Sequence, residues 1–599
     1  KIPSTGSYLD ILRGIPGVKI SHQPRGDMGH MLTMRGFYNM NAVAVFMDGM
    51  PLNTLFWPEG QSQIGWIVPE MIERVEVIKG PFSALYGNYA LGGVINYITK
   101  KSDPSPSVKV SGGTYDNFQG VGVISDFSWT ASPFIVLEGY SKDGYRDNDE
   151  YERGQAFGKI TLPLWGGDLS LRAHHANRDG GFPGYLRIDH IKDGTISRKS
   201  ATNSSDYTEG VMTDLVVNYS PGGGEEGLHA SLYAADLDQT VVGTLGTSPQ
   251  IRAYSDYEYC GWKLLYDYRP FEHLSLIAGT DMRYDDVITN YGLKQSNTDI
   301  ISYDYDQLNT GFFAQAQYKP FPFLKITGGL RYDRFDIDVT NKTAAVNSGD
   351  GSSDIWSPKF GFVITPFKDI NFFANKGLGF NSSSVTQLSP YSSALSKNFD
   401  LKPAKLDTWD VGINTFLFQR LFFSFVYYNT QYQREASYNS STGLYENLGE
   451  SERDGFEVET KIYLTENLNL HGSWAHVRSR LKNPSTPGAD LIANVPEDHT
   501  TLGFQFLKLF GGGDHQIGLD CYWLHYGEMP ANNTGSLMGP DFNQFMSKLS
   551  YKYDKWTFSV DAAISPDEYA GSMYSIQDDQ LAIHSIAELE VMFGLKYQF

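Results

Sequence analysis

The chain ends on Val591, Phe593, Leu595, Tyr597 and Phe599, spaced by Met592, Gly594, Lys596 and Gln598. A period of two marks a β-strand that turns one face to an apolar surround. The alternation returns in Trp409-Asp410-Val411-Gly412-Ile413 and in Gly455-Phe456-Glu457-Val458-Glu459. Segments of this kind run from about residue 104 to the end, each stopping at a cluster of turn residues. Tight clusters alternate with long connections. The tight ones include Leu164-Trp165-Gly166-Gly167, Pro221-Gly222-Gly223-Gly224, Arg269-Pro270-Phe271-Glu272, Lys319-Pro320-Phe321-Pro322 and Gly511-Gly512-Gly513. The long ones lie near 180–205, 289–305, 339–354, 380–404, 480–496 and 567–582. Short turns on one rim and long loops on the other are what a transmembrane β-barrel requires. The runs number about 22, a size at which the lumen is wide enough to hold a folded insert.

Residues before the polar, proline-bearing Lys100-Lys101-Ser102-Asp103-Pro104-Ser105-Pro106 segment read instead as a compact α+β region. The chain therefore divides into 1–103 and 104–599. Composition supports the barrel. Tyr (38), Phe (36) and Trp (10) are abundant, yet mean hydropathy is negative. There is no run of ~18 apolar residues for a membrane helix, so strands would have to do the crossing. A soluble propeller shares such a composition, but no blade-length repeat is visible. The net charge of −21 disfavours nucleic acid, whose phosphates it would repel. Cys260 and Cys521 lie far apart in strand-like runs and read as free structural thiols.

The stretch Lys79-Gly80-Pro81-Phe82-Ser83-Ala84-Leu85-Tyr86-Gly87-Asn88-Tyr89-Ala90-Leu91-Gly92-Gly93-Val94-Ile95-Asn96-Tyr97-Ile98-Thr99 resembles the plug signature of TonB-dependent outer-membrane receptors. Met34-Arg35-Gly36-Phe37, Phe46-Met47-Asp48-Gly49 and Ile72-Glu73-Arg74-Val75-Glu76-Val77-Ile78 match the same pattern in the same order. More diffuse matches follow in Leu401-Lys402-Pro403-Ala404-Lys405, Asn447-Leu448-Gly449-Glu450 and Asn494-Val495-Pro496-Glu497-Asp498-His499. The terminal Phe599 resembles the end signal of outer-membrane barrels. The resemblance implies an all-β membrane protein: a 22-stranded antiparallel transmembrane barrel with a small α+β plug in its lumen. It implies the outer membrane of a Gram-negative bacterium, a monomer surrounded by lipid, and gated import of a small-molecule metal chelate. An inner-membrane TonB energy-transducing complex would pull the plug. The chain opens inside plug-like sequence, so the resemblance also implies a preceding segment that carries the TonB box.

Nothing suggests catalysis: nucleophile elbow, Walker loop and HExxH are all missing from the sequence. Period-two parity turns Asp410 and Glu457 into the lumen. Buried carboxylates need partners. In the family two plug arginines and two barrel glutamates form a lock. Here Arg35 and Lys79 are the cations, and Asp410 stands for one glutamate. Asp is shorter, and Lys cannot pair in a bidentate manner. Three plug loops, by the resemblance, face outward and carry Arg25, His30, Phe37, Tyr38, Asn39, Met40, Phe56 and Trp57. Aromatics with a few polar groups are the usual lining of a small-molecule pocket.

Metal chemistry is the remaining question. Met28, His30, Met31, Met34 and Met40 suit copper as soft ligands, against core packing of a gap-filling residue. Asp143, Asp147, Asp149 and Glu150 offer oxygens for calcium in an outer loop, against a solvated loop. No other cofactor is expected. Haem receptors of the family carry a Phe-Arg-Ala-Pro segment, and Phe380-Asn381-Ser382-Ser383-Ser384 lacks its Arg and Pro. His174 and His175 should face opposite sides of one strand. The resemblance favours a ferric siderophore as solute, then cobalamin or copper. A plugged barrel that only binds at the surface is the reading from another class.

Overall fold

A computed structural model gives the architecture. It describes all residues except 1–11, 13, 22–30, 38–42, 56–60, 81–82, 104–105, 126–130, 223–225, 245–248, 297, 391, 393–394, 440–443, 485, 567–573 and 578–579.

The described residues include 22 antiparallel strands in one closed ring. The first, Ser107–Gly113, pairs with the last, Leu589–Gln598, and so closes it. Closure leaves no edge strand unpaired, which a bilayer demands. No helix among these residues is long and apolar enough to cross a membrane. Alternation sets the facing. Trp409 and Val411 are exposed on the outer face, while Asp410 between them is 5 % exposed in the lumen. Phe593 and Leu595 face outward and Met592 inward.

The connections at Trp165-Gly166 and Phe321–Phe323 are tight, as the turn clusters predict. Two of the expected long loops are instead mostly strand. Leu274–Leu293 and Thr298–Phe321 run almost the length of the 289–305 segment and pair as a protruding hairpin. Likewise Leu324–Asn341 and Gly349–Phe367 shorten the 339–354 connection. Above the membrane both faces of a strand are polar, so the hydrophobic pattern no longer marks it.

The plug fills the lumen. Its strands are β1 (Val18–Ser21), β2 (Met31–Met34), β3 (Val43–Met47), β4 (Met50–Pro51), β5 (Asn53–Thr54), β6 (Gln61–Ser62), β7 (Ile72–Lys79) and β8 (Gly93–Thr99). A four-stranded sheet runs β4-β3-β8-β7, with β3 and β8 parallel, and β1–β2 form a separate hairpin. A 3-10 turn at Pro69–Met71 and a helical turn at Ser83–Tyr86 supply the rest of the α+β character. Val18, Met34, Val45, Trp66 and Ile95 are almost fully buried in a core that continues onto barrel residues such as Phe134 and Tyr257.

Candidate functional site

The site is the seam between plug and barrel. After β2 the chain turns through Arg35 (φ 52°) and Gly36 (φ 76°), both left-handed. This turn throws Arg35 at the wall strands Ala404–Leu417 and Leu444–Tyr463. Its Nε and Nη2 donate to Glu457 Oε1 and Oε2, each at 3.3 Å. Its Nη1 lies 3.5 Å from Asp410 Oδ2. Lys79, the last residue of β7, donates to Glu457 Oε2 at 3.2 Å. The structure thus brings all four predicted lock residues together. Glu457, with the longer arm, takes the hydrogen bonds. Asp410 meets Arg35 by charge, and its other oxygen accepts from Asn375 at 2.9 Å. Burial opposes the Arg35 charge, but Glu457 and Asp410 outweigh it and hold the guanidinium more firmly protonated than usual.

A second charge cluster, absent from the sequence reading, holds the opposite wall. Asp48 and Gly49 (φ 51° and 88°) form the two-residue turn between β3 and β4. An Asp-Gly pair suits a turn that needs two positive φ values. Asp48 accepts from Lys159 Nζ at 3.1 Å, from the Thr99 backbone N–H at 2.9 Å and from the Thr99 hydroxyl. Arg172 stands 3.7 Å away and donates to Met47 O at 3.0 Å and Asp214 at 2.6 Å. Burial raises the Asp48 carboxyl, but Lys159, Arg172 and the Thr99 donors prevail and hold it below the usual carboxylate range. Here the plug supplies the anion and the barrel the cations. A third tie, Glu70 to Lys109 at 3.2 Å, has the same polarity. The signal was available: Lys159 and Arg172 occupy inward positions of their strands, and an inward cation in a filled lumen needs an anion.

Among the expected apex residues, Arg25, His30, Tyr38, Asn39, Met40, Phe56 and Trp57 lie outside the described residues. Phe37 is described, and it is 3 % exposed. It packs with Leu91, Ala404, Leu406 and Tyr432, beneath the Arg453 guanidinium 4.0 Å from its ring centroid. In this structure Phe37 therefore joins plug to wall rather than facing an open pocket.

Lys19 on β1 is buried and donates to Asn494 O at 2.9 Å; burial lowers its pKa to about 7. Met34 is fully buried in the core, and Met28 and Met40 are not described. In the acidic loop, Asp149 accepts from the Tyr145 N–H at 3.1 Å and faces Lys142 at 3.8 Å. No metal-holding group of three acidic, His or Cys residues occurs among the described residues. His174 is buried between Asp214 and Gln155 while His175 is exposed, so the two rings do face opposite ways. Cys260 and Cys521 are free thiols.

Comparison with known proteins agrees with this architecture. Residues 3–94 match the TonB-dependent receptor plug domain, and residues 100–563 match the TonB dependent receptor-like beta-barrel. The vitamin B12 transporter BtuB of Vibrio vulnificus is 27% identical over 418 residues, which cover 68% of this chain and 61% of that protein. The chain thus spans about three-fifths of the length of that relative. The unliganded ferric citrate transporter FecA superposes with a TM-score of 0.83 at 15% identity, covering 100% of this chain and 95% of that one. The ferric yersiniabactin uptake receptor FyuA from Yersinia pestis gives 0.79 at 12% identity, with coverage of 100% and 95%. At such identities the two structures speak for the fold alone. A closed barrel, a plug seated in it by charge and a barrel-family match over most of the chain lead to one conclusion: this protein belongs to the TonB-dependent receptor family of the Gram-negative outer membrane.

Proposed function

We propose that this protein imports a scarce metal chelate across the outer membrane, with TonB supplying the work. The observation that carries the reading is the seating of the plug. It is joined to the wall near Glu457 by side-chain charge pairs at 3.2–3.5 Å, not by shared β-ladder hydrogen bonds. Contacts of that kind can be broken and remade without unfolding the barrel. A barrel in this membrane has no ATP, so opening it calls for force from a partner.

A ferric siderophore is the first form of the solute. Cobalamin is the second, and the match to a vitamin B12 transporter favours it. The test is uptake of radiolabelled ferric catecholate, hydroxamate and citrate chelates and of cyanocobalamin. The cells lack their own outer-membrane transporters and express the full-length protein, with and without TonB. Saturable, TonB-dependent uptake of one iron chelate supports the first form, and of cyanocobalamin the second. Surface binding without uptake of any probe would replace import with a non-transport role.

A further inference from the structure

The connection between wall strands Ile370–Asn381 and Ala404–Leu417 does not stand out into solvent. Val385, Leu388 and Leu401 are at most 6 % exposed and join the main core. A helical turn at Val385–Leu388, closed by a Ser384/Gln387 capping box, gives it local structure. The neighbouring wall hairpin holds it by its backbone. The Tyr303 hydroxyl donates to Ser389 O at 2.6 Å, and Asn347 Nδ2 donates to Pro390 O at 2.7 Å. This segment is a strap folded into the barrel mouth.

Both stems of the strap rest on one stretch of the plug. At the first stem, Asn88 Nδ2 donates to the Ser382 hydroxyl at 2.8 Å, and the Ser382 N–H returns a bond to Asn88 Oδ1 at 3.2 Å. At the second, Ala404 and Leu406 pack on Leu91 and Phe37. The gripped stretch is strained: Tyr89 has φ 67°, a region an aromatic residue seldom adopts. Such strain persists only where neighbours over-determine it.

The next two residues reach the charge pairs. A Cβ on Gly92 would lie 2.6 Å from Met34 O, and one on Gly93 would overlap Ile78 O and the Met34 sulfur. Only glycine lets the backbone come this close. The Gly80 N–H donates to Gly92 O at 3.1 Å. Met34 precedes Arg35, and Gly80 follows Lys79. Contact is therefore continuous from the strap, through Asn88–Leu91 and the glycine pair, to both cations that hold Glu457.

We propose that the 382–403 strap is a sensor. Its position in the barrel mouth is coupled, through Asn88–Leu91 and Gly92-Gly93, to the Arg35 and Lys79 charge pairs that seat the plug. A solute that shifts the strap would loosen the seat, and loosening the seat would free the strap, because coupling is reciprocal. The purpose of this coupling rests on the importer reading; the coupling itself does not.

The test uses purified full-length protein in detergent, without solute or TonB. Amide hydrogen exchange is followed at two places. Strap amides at Gln387–Ser389 bond to Ser384 O and Val385 O; seat amides at Arg35 and Gly80 bond to Gly17 O and Gly92 O. Asn88→Ala should speed exchange at both places, by at least ~5-fold at the seat. Glu457→Gln should do so in reverse, by at least ~5-fold at the strap, and the double variant should fall short of the product of the two. Ser382→Ala, which keeps the backbone donor, should act in the same direction more weakly, and it serves if Asn88→Ala does not fold. If Asn88→Ala frees the strap while the seat keeps wild-type rates, the coupling is wrong. The same holds if Glu457→Gln leaves the strap unchanged. Intact coupling in a protein that imports nothing would count against the importer reading alone.

Discussion

The two walls that hold the plug differ in sign and in bonding. Strands Tyr151–Leu164 and Gly167–Gly181 are fourth and fifth around the ring from Ser107–Gly113; Ala404–Leu417 and Leu444–Tyr463 are fourteenth and sixteenth. The walls thus stand roughly across the lumen from each other. On the first, Asp48 receives donors from Lys159 and from both Thr99 groups, with Arg172 behind. On the second, Arg35 and Lys79 meet Glu457 and Asp410 at 3.2–3.5 Å, and Arg35 Nη1 makes no hydrogen bond. Hydrogen bonds weaken over that range while charge attraction falls slowly. The first wall therefore anchors, and the second attracts. A plug that must release has its weaker bonding beside the β1–β2 hairpin, on the side of the chain's N-terminus.

Three changes would sharpen or break this contrast. The largest effect is expected from Asp48→Asn, which leaves Lys159 buried beside Arg172 without its carboxylate. Losing one partner of a buried pair costs about 3–5 kcal/mol, read as loss of exchange protection across β3 and β8. A smaller cost, about 1–3 kcal/mol for groups left without charged partners, is expected for Asp410→Asn combined with Glu457→Gln. Its loss of protection should centre on β1, β2 and Arg35. Unchanged plug stability in that double variant would remove the lock; a cost above that of Asp48→Asn would invert the comparison. The smallest is a pH effect from Lys19. Its folded pKa of about 7 lies below the ordinary 10.5. Between these values the unfolded chain holds a proton that the folded one does not, so stability rises with pH, by at most ~1.4 kcal/mol per unit. Lys19→Met should flatten that rise. Asp48 works at the acid end: its lowered pKa makes its contribution fade as pH falls below ~3.9.

The second wall was legible in the sequence, and the first was not. Period-two parity turned Asp410 and Glu457 inward, and a plug motif offered cations of matching number. Asp48 lay in another such motif, Phe46-Met47-Asp48-Gly49, but its partners Lys159 and Arg172 sit over a hundred residues on in unremarkable strands. The barrel ring followed from alternation and turns, whereas the protruding hairpin at 289–305 did not, because water on both faces erases the pattern. Phe37 reads as a ligand aromatic from its place in a plug loop. Its burial under Arg453 and Tyr432 comes from residues far along the chain, a distance no local pattern spans.

The opposite signs of the two walls also bear on how the molecule assembles. A plug is narrower than it is tall, and little in its outline forbids entry rotated about the barrel axis. Charge does. Turned by half a circle, Asp48 would approach Glu457 and Asp410, and Arg35 would approach Arg172 and Lys159. Each contact would set like against like away from water, where repulsion is strongest. The plug therefore works as a keyed part, and the orientation in which it can later be withdrawn is already chosen when the barrel closes around it.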